Sequence, residues 1–166
     1  MAEVYHKEVE VYFSSATLHG IVATRHTRLT DHLATADETF LLKSVQLREE
    51  YSRQGGISSE TVVIYKHRVI LVADLGPTDQ PTAGGVQLLR VDRQPHRVVI
   101  GAGPFWLRGD IHLVKGADLE TVGLGNSRFI PLTQAIFLDR PKTDPGIFII
   151  NREQIGCLLI EPNESA

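Results

Sequence analysis

The sequence predicts an all-β protein built as two tandem small five-stranded barrels related by an internal repeat, with at most short helical turns. Three observations lead there. The apolar segments are short and are bounded by Gly, Pro, Ser, Asp or Asn. No segment keeps a helical period for more than a turn or two. The chain also matches itself when shifted by 89 positions.

In chain order, "VEVYF" from Val9 to Phe13 alternates and is β-branched or aromatic. "TLHGIVAT" follows as a second strand with one inner glycine, Gly20. Arg28 to Ala34 is the best helical stretch, since Leu29 and Leu33 stand four apart and Thr27 is placed to cap them. "FLLKSVQL", "TVVIY" and "RVILVAD" continue as strands, the last two separated by the polar break "YKHR". That break predicts a terminal hairpin of two antiparallel strands. Leu75 to Gly85, "LGPTDQPTAGG", reads as a linker whose Pro and Gly do not suit a ladder.

Beyond the linker come "VQLLRV", "RVVIGA", "FWLRGDIHLV", "IFLD", "IFII" and "CLLIE". In the shifted comparison Leu18 falls on Leu107, Gly20 on Gly109, Val22 on Ile111, Phe40 on Phe129 and Leu41 on Ile130, with no gap. The second copy ends in the same kind of hairpin around "INREQ". The expected organisation is a first barrel over 4–75, a linker over 76–85 and a second barrel over 86–162. Copies of this size are marginal alone, so the two are expected to pack as one unit.

The totals exclude some functions. The net charge is −3, whereas nucleic-acid binders usually carry a basic surplus. The single cysteine, Cys157, cannot form an internal disulfide; it reads as a small buried hydrophobe in a reducing compartment. The N-terminal residues do not form a signal peptide, and no apolar run approaches the ~18 residues of a membrane span. The expectation is a cytoplasmic protein without membrane contact.

Several motifs weaken under the repeat. The Arg-Gly-Asp tripeptide at Arg108–Asp110 aligns with "LHGI", so only its glycine is shared, which points to a close backbone approach rather than adhesion. "GAGP" aligns with "YFSS" and reads as a turn, not a phosphate loop. The seven histidines lack metal-ligand spacing, and His26 and His32 read as solvated loop residues. No nucleophile–base pair is visible, so no catalytic, cofactor or metal residue is assigned. What remains is "RLTDHL", where Arg28, Asp31 and His32 form the possible ligand or interface set. The aligned "ADLETV" keeps the carboxylate as Glu120 but has no arginine, which leaves Arg28 unexplained.

Each copy, with its strand–turn–strand carrying one inner glycine ("LHGIVAT", "LRGDIHL"), an acidic connection and a terminal hairpin, resembles a small Sm-like β-barrel. "RLTDHL…FLLKSVQL" and "NSRFIPLTQAIFL" are also similar to stretches of uncharacterised bacterial domains of this size. The loop Asp and Asn of Sm-like RNA binders are not reproduced, so the resemblance implies the fold more than RNA binding. "FWLRGDIHLV" is similar to the leucine-arginine-glycine strand of the CheW-like chemotaxis adaptors, which also have two small barrels.

The leading expectation is a non-enzymatic binding or assembly module that associates with itself or with a protein partner. A single-stranded nucleic-acid binder comes second, with Tyr12, Phe13 and Tyr65 for stacking and Arg25, Arg28, Lys66 and Arg68 for phosphates. A CheW-like signalling adaptor is a further alternative. An enzyme with a pocket between the copies around Arg28, Asp31 and His32 has least support.

Overall fold

In the computed structural model of the chain, residues 3–48, 57–78, 93–119, 127–140 and 144–162 are described. Their order is β1 (Tyr5–Tyr12), β2 (Thr17–Thr24), α1 (Leu29–Leu33), β3 (Thr39–Leu47), β4 (Ser58–Tyr65), β5 (Leu71–Pro77), β6 (Arg93–Ala102), β7 (Phe105–Val114), β8 (Phe129–Phe137), β9 (Gly146–Asn151) and β10 (Ile155–Ile160). The all-β expectation holds. The strands form one open antiparallel sheet of ten, ordered β10-β6-β7-β8-β9-β5-β1-β2-β3-β4.

Each set of five strands has the same internal order, with its fifth strand beside its first and its fourth at the far side. The predicted terminal hairpins do not form. Among the described residues β4 pairs only with β3, and β5 pairs with β1 and β9. The reason lies in the polar breaks. "KHR" and "REQ" each wind into a single 3-10 turn, Lys66–Arg68 and Arg152–Gln154. Such a turn makes a corner rather than the tight reversal a hairpin needs. The Lys66 amide donates to the Glu38 carbonyl and the Arg152 amide to the Arg128 carbonyl, so both corners are pinned alike.

The gap left between β4 and β5 is what admits β9. Leu71 faces Ile150, Val72 faces Ile149, Ala73 faces Phe148 and Asp74 faces Ile147. This joint makes the central strands two-sided. Leu71, Ala73, Phe148 and Ile150 enter a core with Ile100, Leu107, Leu132 and Phe137. Val72 and Ile149 enter a second core with Val9, Val11, Val22, Leu42 and Ile64. Strands buried on both faces read as continuous apolar runs, which is why "IFII" shows no alternation.

Within each half the same bend recurs. A Cβ built on Gly20 would lie 2.6 Å from Leu42 Cγ and 2.9 Å from the Lys43 carbonyl oxygen. On Gly109 the distances are 2.6 Å to Leu132 Cγ and 2.8 Å to the Thr133 carbonyl oxygen. Beside each glycine the ladder slips, and Ser44 and Gln134 take positive φ of 52° and 49°. The gap-free alignment needs one correction here. Gly20 and Gly109 are 89 apart, but Leu42 and Leu132 are 90 apart, so Phe40 matches Ile130 and not Phe129.

The linker boundary also moves. Gly76 and Pro77 lie in the β5 ladder opposite Glu8 and Lys7, after a bulge. Gly76 tolerates this at φ 105°, and Pro77 is the last strand residue, where a missing donor costs little. "VQLLRV" and the rest of the linker from residue 79 lie outside the described residues. No helix among the described residues is long and apolar enough to cross a membrane.

Candidate functional site

The connection between β2 and β3 folds over the seam of the sheet. Leu29 and Leu33, four apart, are fully buried and anchor α1 to the second core. Arg28 itself occupies the N-cap position, and no side chain caps the helix, so Thr27 is not the cap. With its two leucines turned in, the helix leaves Arg28 and Asp31 exposed. Both line a cleft of about 710 Å³ between the two halves, which β7, β8 and β9 close from the other side.

The cleft lining combines buried apolar side chains with charged ones. Leu29, Ile111, Phe129 and Ile130 contribute the apolar part. On one wall Lys7 and Asp74 pair at 3.4 Å, both largely buried, and Asp74 also accepts from the Gly76 amide at 3.0 Å. On the facing wall His112 Nε2 lies 2.6 Å from Thr133 Oγ1. Arg93, at the start of β6, completes the lining. Among the described residues neither Arg28 nor Arg93 forms an ion pair.

His32 is turned away from this cleft. It lines a smaller recess of about 260 Å³ with Thr35, Asp37, Phe40 and Lys43. Its pKa lies below the ordinary 6.5, first because of burial and then because of the nearby Lys66 and His26 charges; Asp37 opposes the shift. Its ring is 6.2 Å from that of His26. Lys66 closes the floor of this region: its side chain is fully buried, and Nζ donates to both the carbonyl and the hydroxyl of Thr35 at 3.1 Å. Burial lowers its pKa, with Arg128 adding to the effect while Asp37 and Glu38 oppose it. Among the described residues no side-chain hydrogen bond couples His32 to a hydroxyl or thiol; the Thr35 hydroxyl in the recess is held by Lys66 instead.

Of the three site residues read from the sequence, the structure thus places Arg28 and Asp31 in one cleft and His32 in another recess. Among the nucleic-acid candidates, Tyr12 and Lys66 are buried and offer no binding surface. Tyr12 donates to Glu10 Oε2 at 2.6 Å and packs against Phe105 and Phe137. Tyr65, Arg25, Arg28 and Arg68 are exposed, and Phe13 is half-buried. Cys157 is exposed rather than buried, and β10, which carries it, is an edge strand among the described residues. His6, His19, His96 and His112 sit in strands, not in loops. No group of three or more metal-ligating side chains occurs among the described residues.

Lys7, Asp74, Arg93 and Thr133 were not legible as site residues. They reach the cleft only through pairings of distant strands, which no local motif announces. The other open features of the surface are the two sheet edges. β4 exposes Val63 and Tyr65, while β10 exposes Leu159 and Ile160, with Trp106 nearby on β7. The chain matches no family model, no curated protein and no solved structure.

Proposed function

We propose that this chain is a non-enzymatic assembly module that joins further copies of itself, end to end, through β4 and β10. In this reading each half is a small Sm-like barrel of an internal repeat, left open between its fourth and fifth strands. The carrying observation is the β5–β9 joint. There the fifth strand of one half pairs with the fourth strand of the other. Among the described residues the free edges are the remaining fifth strand, β10, and the remaining fourth strand, β4.

The exposures support the same reading. Ile149 in β9 is 1 % exposed, and its counterpart in β4, Val63, is 50 % exposed. Ala73 in β5 is 3 % exposed, and its counterpart in β10, Leu159, is 54 % exposed. Apolar side chains on an unpaired edge form an adhesive surface. Strand pairing is favoured over nucleic-acid binding by the net charge of −3 and by the burial of Tyr12 and Lys66.

The register follows from the joint. Leu71 faces Tyr12 in β1 as Cys157 faces Gly101 in β6, and Ile64 faces Phe40 as Ile150 faces Ile130. The contact Leu71–Ile150 therefore becomes Cys157–Ile64 between molecules. The neighbouring Asn151 amide bonds to the Ile70 carbonyl at 2.9 Å, so Leu71–Ile150 is a non-hydrogen-bonded pair. Cα atoms in such pairs lie about 4.5 Å apart, within disulfide range.

Ile64→Cys is therefore expected to cross-link with Cys157 of the next molecule on mild oxidation, giving a ladder of covalent multimers that reductant collapses. Val63→Cys, which points to the opposite face, is expected to give none, and neither is Ile64→Cys with Cys157→Ser. Light scattering of the unmodified protein is expected to give a mass above 18.4 kDa. A mass held at 18.4 kDa up to ~100 µM together with no ladder would exclude this function.

A further inference from the structure

We infer that the cleft between the two halves is a binding site for a small amphipathic anion, an acyl or aryl body carrying one carboxylate or phosphate group. Size is the first argument. About 710 Å³ is in the range of pockets that enclose a small organic ligand. Its lining is the second. Leu29, Ile111, Phe129 and Ile130 offer buried apolar surface, and Arg28, Asp31 and Arg93 are exposed.

Charge is the third argument and sets the sign of the ligand. Lys7, Arg28 and Arg93 line the cleft against Asp31 and Asp74, which is three cations to two carboxylates, in a chain whose net charge is −3. Lys7 is already held by Asp74. Arg28 and Arg93 are exposed and have no ion-pair partner among the described residues, so their guanidinium groups are available to an incoming anion. A planar guanidinium fork binds carboxylate or phosphate oxygens in pairs.

The site also accounts for Arg28. The first half places its β2–β3 connection against the second half, and the cleft lies between them. The second half carries Ala117 at the matching position, and Ala117 is not among the residues that line the cleft. An arginine is needed only where a facing wall exists.

The test is an amide-resolved NMR titration of the full chain with decanoate, decyl phosphate, decyltrimethylammonium and 1-decanol, each below its micelle concentration. Decanoate or decyl phosphate is expected to shift the amides of Thr30, His112 and Ser127 saturably, at one equivalent per chain. The tighter of the two identifies the head group. Arg28→Gln with Arg93→Gln is expected to weaken that anion about tenfold while leaving decanol unchanged. Both arginines are exposed, so an otherwise unchanged spectrum verifies the fold. Equal binding of the ammonium probe, an unchanged anion affinity in the double variant, or shifts confined to β4 and β10 would each overturn the assignment. The outcome is independent of the Ile64→Cys ladder, which reads the sheet edges alone.

Discussion

Asn151 at the end of β9 donates through Nδ2 to the carbonyl of Val69, just before β5, at 2.9 Å. The same nitrogen reaches the Lys66 carbonyl at 3.3 Å, and Oδ1 accepts from the Glu153 amide at 3.1 Å. One fully buried side chain of the second half thus satisfies the 3-10 corners of both halves. Asn151→Ala removes the bond to the Val69 carbonyl and the acceptor of the Glu153 amide, while the Lys66 carbonyl keeps the Val69 amide at 3.1 Å. The expected loss is about 2–3 kcal/mol in chemical denaturation. A change below about 0.5 kcal/mol would show that the corners hold without it.

The close approach of Gly20 to Leu42 and of Gly109 to Leu132 leaves no room for a methyl group. The obstacle at each site includes a backbone carbonyl, which side-chain repacking does not remove. Gly20→Ala and Gly109→Ala are each expected to cost about 2–3 kcal/mol. Gly76→Ala meets nothing within 4 Å, so only its φ of 105° resists the change. Its cost is expected to be about 1 kcal/mol. Urea midpoints of the three variants would reverse that order if crowding at the bend were unimportant.

Lys66 is a charged residue only 1 % exposed, held by two bonds to Thr35. Lys66→Ala removes the buried stem and the donor together and is expected to cost about 2–4 kcal/mol. Lys66→Met keeps the stem and removes the charge that has to be desolvated, so its cost is expected to be smaller. Thermal unfolding distinguishes the two; equal losses would assign the whole effect to the bonds.

His32 carries a pKa lowered from 6.5, so the folded protein holds its proton less readily than the unfolded chain does. Its contribution to stability is present above pH 6.5 and is lost as the pH falls below that value, because the unfolded state then gains the proton first. Denaturation curves between pH 7.5 and 5.5 are expected to fall more steeply for the natural protein than for His32→Gln. Parallel slopes would mean that His32 is as solvated in the fold as outside it.

Strand content was legible because alternation and turn formers are local signals. The two bends were legible as well, since Gly20 and Gly109 stand at corresponding positions inside strand segments. What escaped was set by partners far away in the chain. "YKHR" looks like a hairpin loop until its buried lysine and the Glu38 carbonyl make it a corner. Cys157 looks like a core residue because its neighbours are apolar, yet apolarity does not show whether another strand lies alongside. The cleft is invisible in the sequence for the same reason. Arg28 and Asp31 are close in the chain, but the wall they face comes from β7, β8 and β9.

The pairing of Leu71 with Ile150 also has a temporal side. The two residues are 79 positions apart, so β5 leaves the ribosome long before its partner exists. At about 5–20 residues per second that interval lasts roughly 4–16 s. Throughout it the nascent chain carries Leu71, Val72 and Ala73 on a strand that has its β1 partner but not its β9 partner. Slow synthesis across 79–92, or release of a chain truncated there, lengthens the period in which chaperones, proteases or another nascent chain meet that edge first.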